Sequence, residues 1–389
     1  MEDANPHPLT LGPVSNAIAR LIGLDTRTRA RAASVCKAWV QSMRDVWPPR
    51  VRLGDSPVPG PPAVPTYSHP NTGALSPDRV HAAVAFNMGQ LVVFNVGTGE
   101  PIHLPGAFSF FPYVSIADSL VFSRDGTLLM LSGYANTHSG AFIHVYRVSD
   151  ATLHLSSTFI IHTPNVEGDV RCDFGSVASD LLAVNRATGH NGITLRSAST
   201  GRSVRVINTG PHIMDHIRFS PDGSLLAAVP DYTGGNDEHN LVVYIPATGL
   251  ARGSFDLPKA NDLVWSPDGT RIATVSNRCL QVWHVASFTL HFILPQCPGD
   301  SVDWSADGRL LLSVCNWRSY LTNPPYGHED AKQTHVRIHD ATTGLLRSMT
   351  IRDGHSGPAV FVSTGPQRHV MLFAPESPHA LAHAWALDV

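Results

Sequence analysis

The residues able to do chemistry are plentiful in this chain, but they are poorly spaced for it. Among 21 histidines, His212 with His216 and His335 with His339 stand four apart. On a helix that spacing converges on one metal ion. In a strand or turn, residues four apart are separated by about 13 Å, too far to share a ligand sphere, and His379 and His383 fail on the same ground. Five cysteines, Cys36, Cys172, Cys279, Cys297 and Cys315, form no CxxC pair. They read as small buried groups rather than as a zinc site or a disulfide framework. No glycine-rich phosphate loop and no GxSxG elbow occurs. The expectation is a non-enzyme with no catalytic residue, no metal and no cofactor.

The aspartates that recur do so inside one phrase. It reads Ser123-Arg124-Asp125-Gly126, Ser220-Pro221-Asp222-Gly223, Ser266-Pro267-Asp268-Gly269 and Ser305-Ala306-Asp307-Gly308, with a degenerate copy at Ser76-Pro77-Asp78-Arg79. Pro presets φ, Asp bonds the neighbouring backbone and Gly accepts a positive φ. Each copy is therefore a hairpin turn between two short apolar runs, and its Asp is there for the turn. Repetition at about 40–50 residues means stacked supersecondary units.

Bulk properties narrow the field further. The chain has 389 residues, 43% hydrophobic and 15% charged, with a formal net charge of −3, so it carries no global signal for binding nucleic acid. The start, Met1-Glu2-Asp3-Ala4-Asn5-Pro6, has neither region of a secretory signal. No apolar stretch approaches the roughly 20 residues that span a bilayer. A cytoplasmic or nuclear protein that engages neither membrane nor nucleic acid is expected.

Residues 76–389 alternate strand and turn, in segments 76–106, 107–163, 164–210, 211–257, 258–296, 297–354 and 355–389. A second turn family, at Val96-Gly97-Thr98-Gly99, Ser199-Thr200-Gly201, Ala247-Thr248-Gly249 and Ala341-Thr342-Thr343-Gly344, closes the third strand of most. Together the two turn families resemble the WD-repeat β-propellers, although the closing Trp-Asp pair is replaced by forms such as Val282-Trp283-His284 and Ile338-His339-Asp340. The resemblance implies an all-β propeller of seven blades, give or take one. Some propellers are hydrolases or lactonases, with acids and histidines at the mouth of the central channel; nothing here singles out such a set.

The front of the chain differs. Residues 15–47 show helical spacing of apolar positions, Pro48-Pro49 stops the run, and a Pro-rich linker (49–75) follows. Leu11, Pro13, Ile18, Leu21, Ile22, then Val35-Cys36-Lys37-Ala38-Trp39 and the terminal Trp47 resemble an F-box across 8–48. That resemblance implies docking to the Skp-type adaptor of a cullin–RING (SCF-type) ubiquitin ligase through Leu11, Pro13, Ile18, Leu21, Ile22, Val35, Cys36, Trp39 and Trp47. About 35 residues bury little surface alone, so such a motif needs a partner surface, on another protein or on the propeller itself.

Connections between second and third strands are long and share one rim: Gly133–Gly140, Arg186–Gly192, Pro230–Asn240 and Asn316–Thr334. Long loops on a rigid repeat scaffold are where recognition is normally placed. Aromatic and Arg side chains are the usual interface anchors. The target-binding candidates are therefore Arg186, Tyr232, Arg278, Trp317, Arg318, Tyr320 and Tyr326. Two functions follow: a ubiquitin-ligase receptor holding a protein substrate on this rim, or a propeller scaffold for protein–protein interaction with no ubiquitin role.

Overall fold

The computed structural model describes residues 70–86, 91–96, 115–135, 141–149, 152–161, 170–176, 179–185, 192–210, 214–230, 240–257, 260–317, 333–353, 359–363, 368–372 and 383–387. The whole helical motif and all of the linker before Pro70 lie outside them. The described residues form seven antiparallel sheets in chain order.

The first sheet is β1 (Pro70–Leu75), β2 (His81–Phe86) and β3 (Leu91–Asn95). The second is β4 (Ser115–Phe122), β5 (Leu128–Ala135), β6 (Ala141–Ser149) and β7 (Thr152–Ile161). The third is β8 (Cys172–Phe174), β9 (Leu181–Val184), β10 (Gly192–Ser197) and β11 (Ser203–Asn208). The fourth holds β12 (Met214–Phe219), β13 (Leu226–Pro230), β14 (Asn240–Ile245) and β15 (Leu250–Asp256). The fifth holds β16 (Asp262–Trp265), β17 (Arg271–Val275), β18 (Cys279–His284) and β19 (Thr289–Pro295). The sixth holds β20 (Ser301–Trp304), β21 (Leu310–Trp317), β22 (Gln333–Asp340) and β23 (Leu346–Asp353). The last holds β24 (Ala359–Ser363), β25 (Arg368–Leu372) and β26 (His383–Leu387). Five sheets thus have four strands, and the first and last have three among the described residues.

One boundary moves from the sequence reading. Pro70–Leu75, assigned to the linker, is a strand, pairing Thr72 with Ala85 and Leu75 with Ala82. Proline is tolerated at a strand's first position, and the apolar β2 needs a partner on its open edge.

Burial grades outward along the sheets whose outer strands are described. β17 and β18 are buried almost throughout, whereas the outer β19 is mostly exposed. The same holds for β13 against β15. Middle strands are covered on both faces by neighbouring sheets, so they read as continuous apolar runs such as Leu226-Ala227-Ala228-Val229. Six cores lie between successive sheets. Between the fourth and fifth, for example, Leu241, Val243 and Phe255 meet Leu263, Trp265 and Trp283. Burying one such side chain contributes about 1.5–3 kcal/mol. The innermost strands touch in chain order, β1 to β4, β8, β12, β16, β20 and β24. Arg79 of the first sheet acts electrostatically on Asp303 of the sixth.

In all five four-stranded sheets the third and fourth strands shift register just before their turn, at Tyr146, Arg196, Tyr244, Trp283 and His339. A bulge re-aims a side chain. Here Tyr146, Tyr244, Trp283 and His339 are buried, occupying the place near the end of the third strand where the sequence reading looked for a Trp-Asp pair.

Candidate functional site

Among the described residues, one rim carries a series of tight turns. In each Ser-x-Asp turn the serine hydroxyl donates to Asp Oδ1, at 2.5 Å for Ser76, 2.6 Å for Ser123, Ser220 and Ser266, and 2.7 Å for Ser305. It also accepts the amide five residues on, at 2.8–2.9 Å. The same carboxylate oxygen accepts the amide two residues after it. Partial burial alone would raise the carboxyls of Asp78, Asp125 and Asp268, but these hydrogen bonds outweigh it and hold them below the usual range. At Asp222 the bonds from Ser220 and Ser224 are the larger effect, with the same result. The aspartates are thus committed to turn geometry, as the spacing of the motif implied. Gly126, Gly223, Gly269 and Gly308 carry the positive φ, and in the degenerate copy Arg79 carries it, at 65°.

The opposite rim carries the connections between second and third strands. In the fifth sheet this connection is only Ser276-Asn277-Arg278, and it puts the predicted contact residue Arg278 in solvent. Beside it Asn261 Nδ2 donates to Asn277 Oδ1 at 2.7 Å and to the Gly299 carbonyl at 2.9 Å. Trp317 ends β21, but its side chain is outside the described residues, as are Arg186, Tyr232, Arg318, Tyr320 and Tyr326. So are all nine residues expected to meet an adaptor: Leu11, Pro13, Ile18, Leu21, Ile22, Val35, Cys36, Trp39 and Trp47. Among the predicted contacts, then, Arg278 alone has a described side chain.

A feature the sequence reading missed runs around the axis. Asp173, Asp262 and Asp303 sit on the innermost strands β8, β16 and β20. Asp173 Oδ2 accepts the Phe219 amide of the fourth sheet at 2.6 Å. Asp262 Oδ2 accepts the Val302 amide of the sixth at 3.1 Å, and Asp303 Oδ2 the Phe361 amide of the seventh at 2.8 Å. Innermost strands of adjacent sheets do not pair in a ladder, so their inner edges present amides that need acceptors. Arginines complete the belt: Arg218 lies 3.8 Å from Asp262, and Arg124 reaches from the second sheet to the Phe219 carbonyl at 2.7 Å. Burial raises all three carboxyls, with Arg218 opposing it at Asp173 and Asp262, and Arg79 at Asp303. The available signal was an acid flanked by apolar residues just before the turn, as in Val302-Asp303-Trp304.

The histidines and cysteines are spread among structural partners. His335 and His339 lie along β22; His339 Nδ1 bonds the Gly344 carbonyl at 3.2 Å and its Nε2 approaches Cys297 Sγ at 3.6 Å. Cys172, Cys279, Cys297 and Cys315 are buried free thiols. Burial pushes the Cys315 thiol up to about 11, away from the thiolate that reactivity requires.

No protein-family model matches the chain, and no curated protein matches it. Among solved structures it is similar to the Cps50 (Swd1) β-propeller domain of Myceliophteria thermophila, with a TM-score of 0.60 at 14% identity. The match covers 82% of this chain and 96% of that one. Identity at that level speaks for the fold alone. With seven antiparallel sheets in chain order, five of them turning from first to second strand through Ser-x-Asp, the chain carries a WD-like β-propeller.

Proposed function

We propose that this chain is a substrate receptor of a cullin–RING ubiquitin ligase. Its F-box-like segment (8–48) docks the Skp-type adaptor, and the WD-like propeller holds a target protein on its long-connection rim. The observation carrying the reading is the order Val35-Cys36-Lys37-Ala38-Trp39 with Trp47, ahead of a Pro-rich linker and a propeller. A rigid turn-framed rim opposite a rim of long connections supports a protein-binding role for the propeller. The protein performs no covalent chemistry in this scheme; it raises the effective concentration of its target near a ubiquitin-loaded enzyme. It acts in the cytoplasm or nucleus. Only three of its basic residues are lysines, Lys37, Lys259 and Lys332, which limits its own modification.

The second reading is a propeller scaffold without a ubiquitin role, and it rests on the fold. A pull-down with a Skp-type adaptor separates the two. Wild type is expected to capture the adaptor, and Val35→Ala with Trp39→Ala to lose it. A folded wild-type protein that captures none leaves the scaffold reading in place.

A further inference from the structure

The third and fourth strands of the fifth sheet carry a pair of histidines that reaches into the next sheet. His284 Nε2 and His291 Nδ1 are 3.1 Å apart, their rings edge to face with centroids at 4.6 Å. His291 Nε2 lies 3.1 Å from the Thr342 carbonyl, in the turn joining β22 to β23. A carbonyl only accepts, so His291 must carry its proton on Nε2. Its Nδ1 is then the acceptor, and His284 must donate through Nε2. Both tautomers follow from one carbonyl.

We propose that this His284–His291–Thr342 relay is an acid-sensitive clasp between the fifth and sixth sheets. A proton added to His291 Nδ1 abolishes the acceptor that His284 uses, and it sets a cation against the donor. The groups around it offer that cation no relief. Arg271 lies opposite His284 in the β17–β18 register and bonds the Ala341 carbonyl at 2.9 Å. Asp340, at the head of the turn, is bound to Arg347 at 2.7 Å and caps the amides of Thr342 and Thr343. Phe292 presents a ring at 5.3 Å. Burial and the neighbouring His284 lower the pKa of His291 below its ordinary 6.5. The neutral relay therefore persists at pH 7 and fails as pH falls through the folded-state value. The device loosens the turn 341–344, and with it the outer seam of the two sheets, under mild acid.

The test uses the full-length protein. Nitrogen-15 spectroscopy of the histidine rings should show His291 protonated on Nε2 alone at pH 7, with His284 also protonated on Nε2. Hydrogen exchange at Thr342–Gly344, corrected for intrinsic rates, should accelerate as pH falls from the ordinary histidine value toward the His291 transition, by up to about tenfold per unit, and level off below it. His291→Gln, whose amide can donate to Thr342 and accept from His284, should abolish that acceleration. His284→Ala should shift it to higher pH, because the acceptor nitrogen loses its donor. A His291 proton on Nδ1 at neutral pH overturns the proposal, as does an exchange profile unchanged by His291→Gln. The ring spectra are read on wild type, so the proposal stays falsifiable if a variant fails to fold.

Discussion

The carboxylate of Asp262 accepts the backbone amide of Val302 at 3.1 Å, joining the innermost strands of the fifth and sixth sheets. Asp173 and Asp303 do the same for Phe219 and Phe361. These bonds stand where a sheet ladder would otherwise be needed. They make the axial belt a part of the framework that a pattern of apolar residues cannot reveal.

Asp262→Ala should leave the Val302 amide without its acceptor and remove the carboxylate that lies 3.8 Å from Arg218. A loss of about 1–3 kcal/mol is expected, measured by urea unfolding. Asp262→Asn keeps an acceptor oxygen and removes a charge that burial disfavours, so it should recover that loss in full at pH 7. Equal losses from the two variants would show that the amide contact contributes little.

Arg79 holds a left-handed φ of 65°, where four sister turns use glycine. For an L residue that conformation costs roughly 1–2 kcal/mol. Both Arg79→Gly and Arg79→Ala remove the charge that acts on Asp303, but only glycine removes the strain. The glycine variant should therefore be the more stable of the two by about 1 kcal/mol, read from thermal or denaturant midpoints.

Two tryptophans at equivalent turn-adjacent positions should respond differently to Phe. Trp265 Nε1 donates to the Arg218 carbonyl at 3.0 Å. Trp304 Nε1 is buried with no partner among the described residues, while its ring lies 5.0 Å from the Arg271 guanidinium. Trp265→Phe should lose about 1 kcal/mol more than Trp304→Phe, because only the first abandons a hydrogen bond. A larger loss at Trp304 would point to the Arg271 contact as the dominant interaction.

Acid should act on two aspartate populations with opposite sign. At Asp125 hydrogen bonds overcome burial and depress the folded-state pKa, so its stabilisation is present at pH 7 and is lost as pH falls through that value. At Asp303 burial outweighs Arg79 and raises it, so the ionised group is a burden at pH 7 that protonation relieves. Asp125→Asn should destabilise at neutral pH, by an amount that shrinks in acid. Asp303→Asn should be stabilising relative to wild type at pH 7, with the advantage vanishing as pH falls. Unfolding curves at pH 7 and 4 check Asp303, and curves carried down to about pH 2 check Asp125.

The turns were legible because a positive-φ glycine and an Asp two residues after a Ser leave little conformational choice. The third sheet lacks that phrase at its first turn, where Asp180 takes the positive φ instead, yet its Ser199-Thr200-Gly201 turn marked it. β1 was hidden in a Pro-rich stretch, since composition there argued for extended linker and only pairing with β2 makes it a strand. The axial acids were illegible for a different reason. In an alternating strand a polar residue normally faces water, and sequence cannot say that the second face of β8, β16 or β20 looks inward to neighbouring strands. Of the predicted binding residues, Arg278 alone has a described side chain, exposed on the connection 276–278.

Every one of the three axial carboxylates points the same way along the chain, from an earlier sheet to the one after it. During synthesis the third, fifth and sixth sheets would therefore each display a ready acceptor before the next sheet emerged from the ribosome. Growth around the axis then has a built-in direction, amino end first, and a truncated ring should fail at its last sheet rather than throughout.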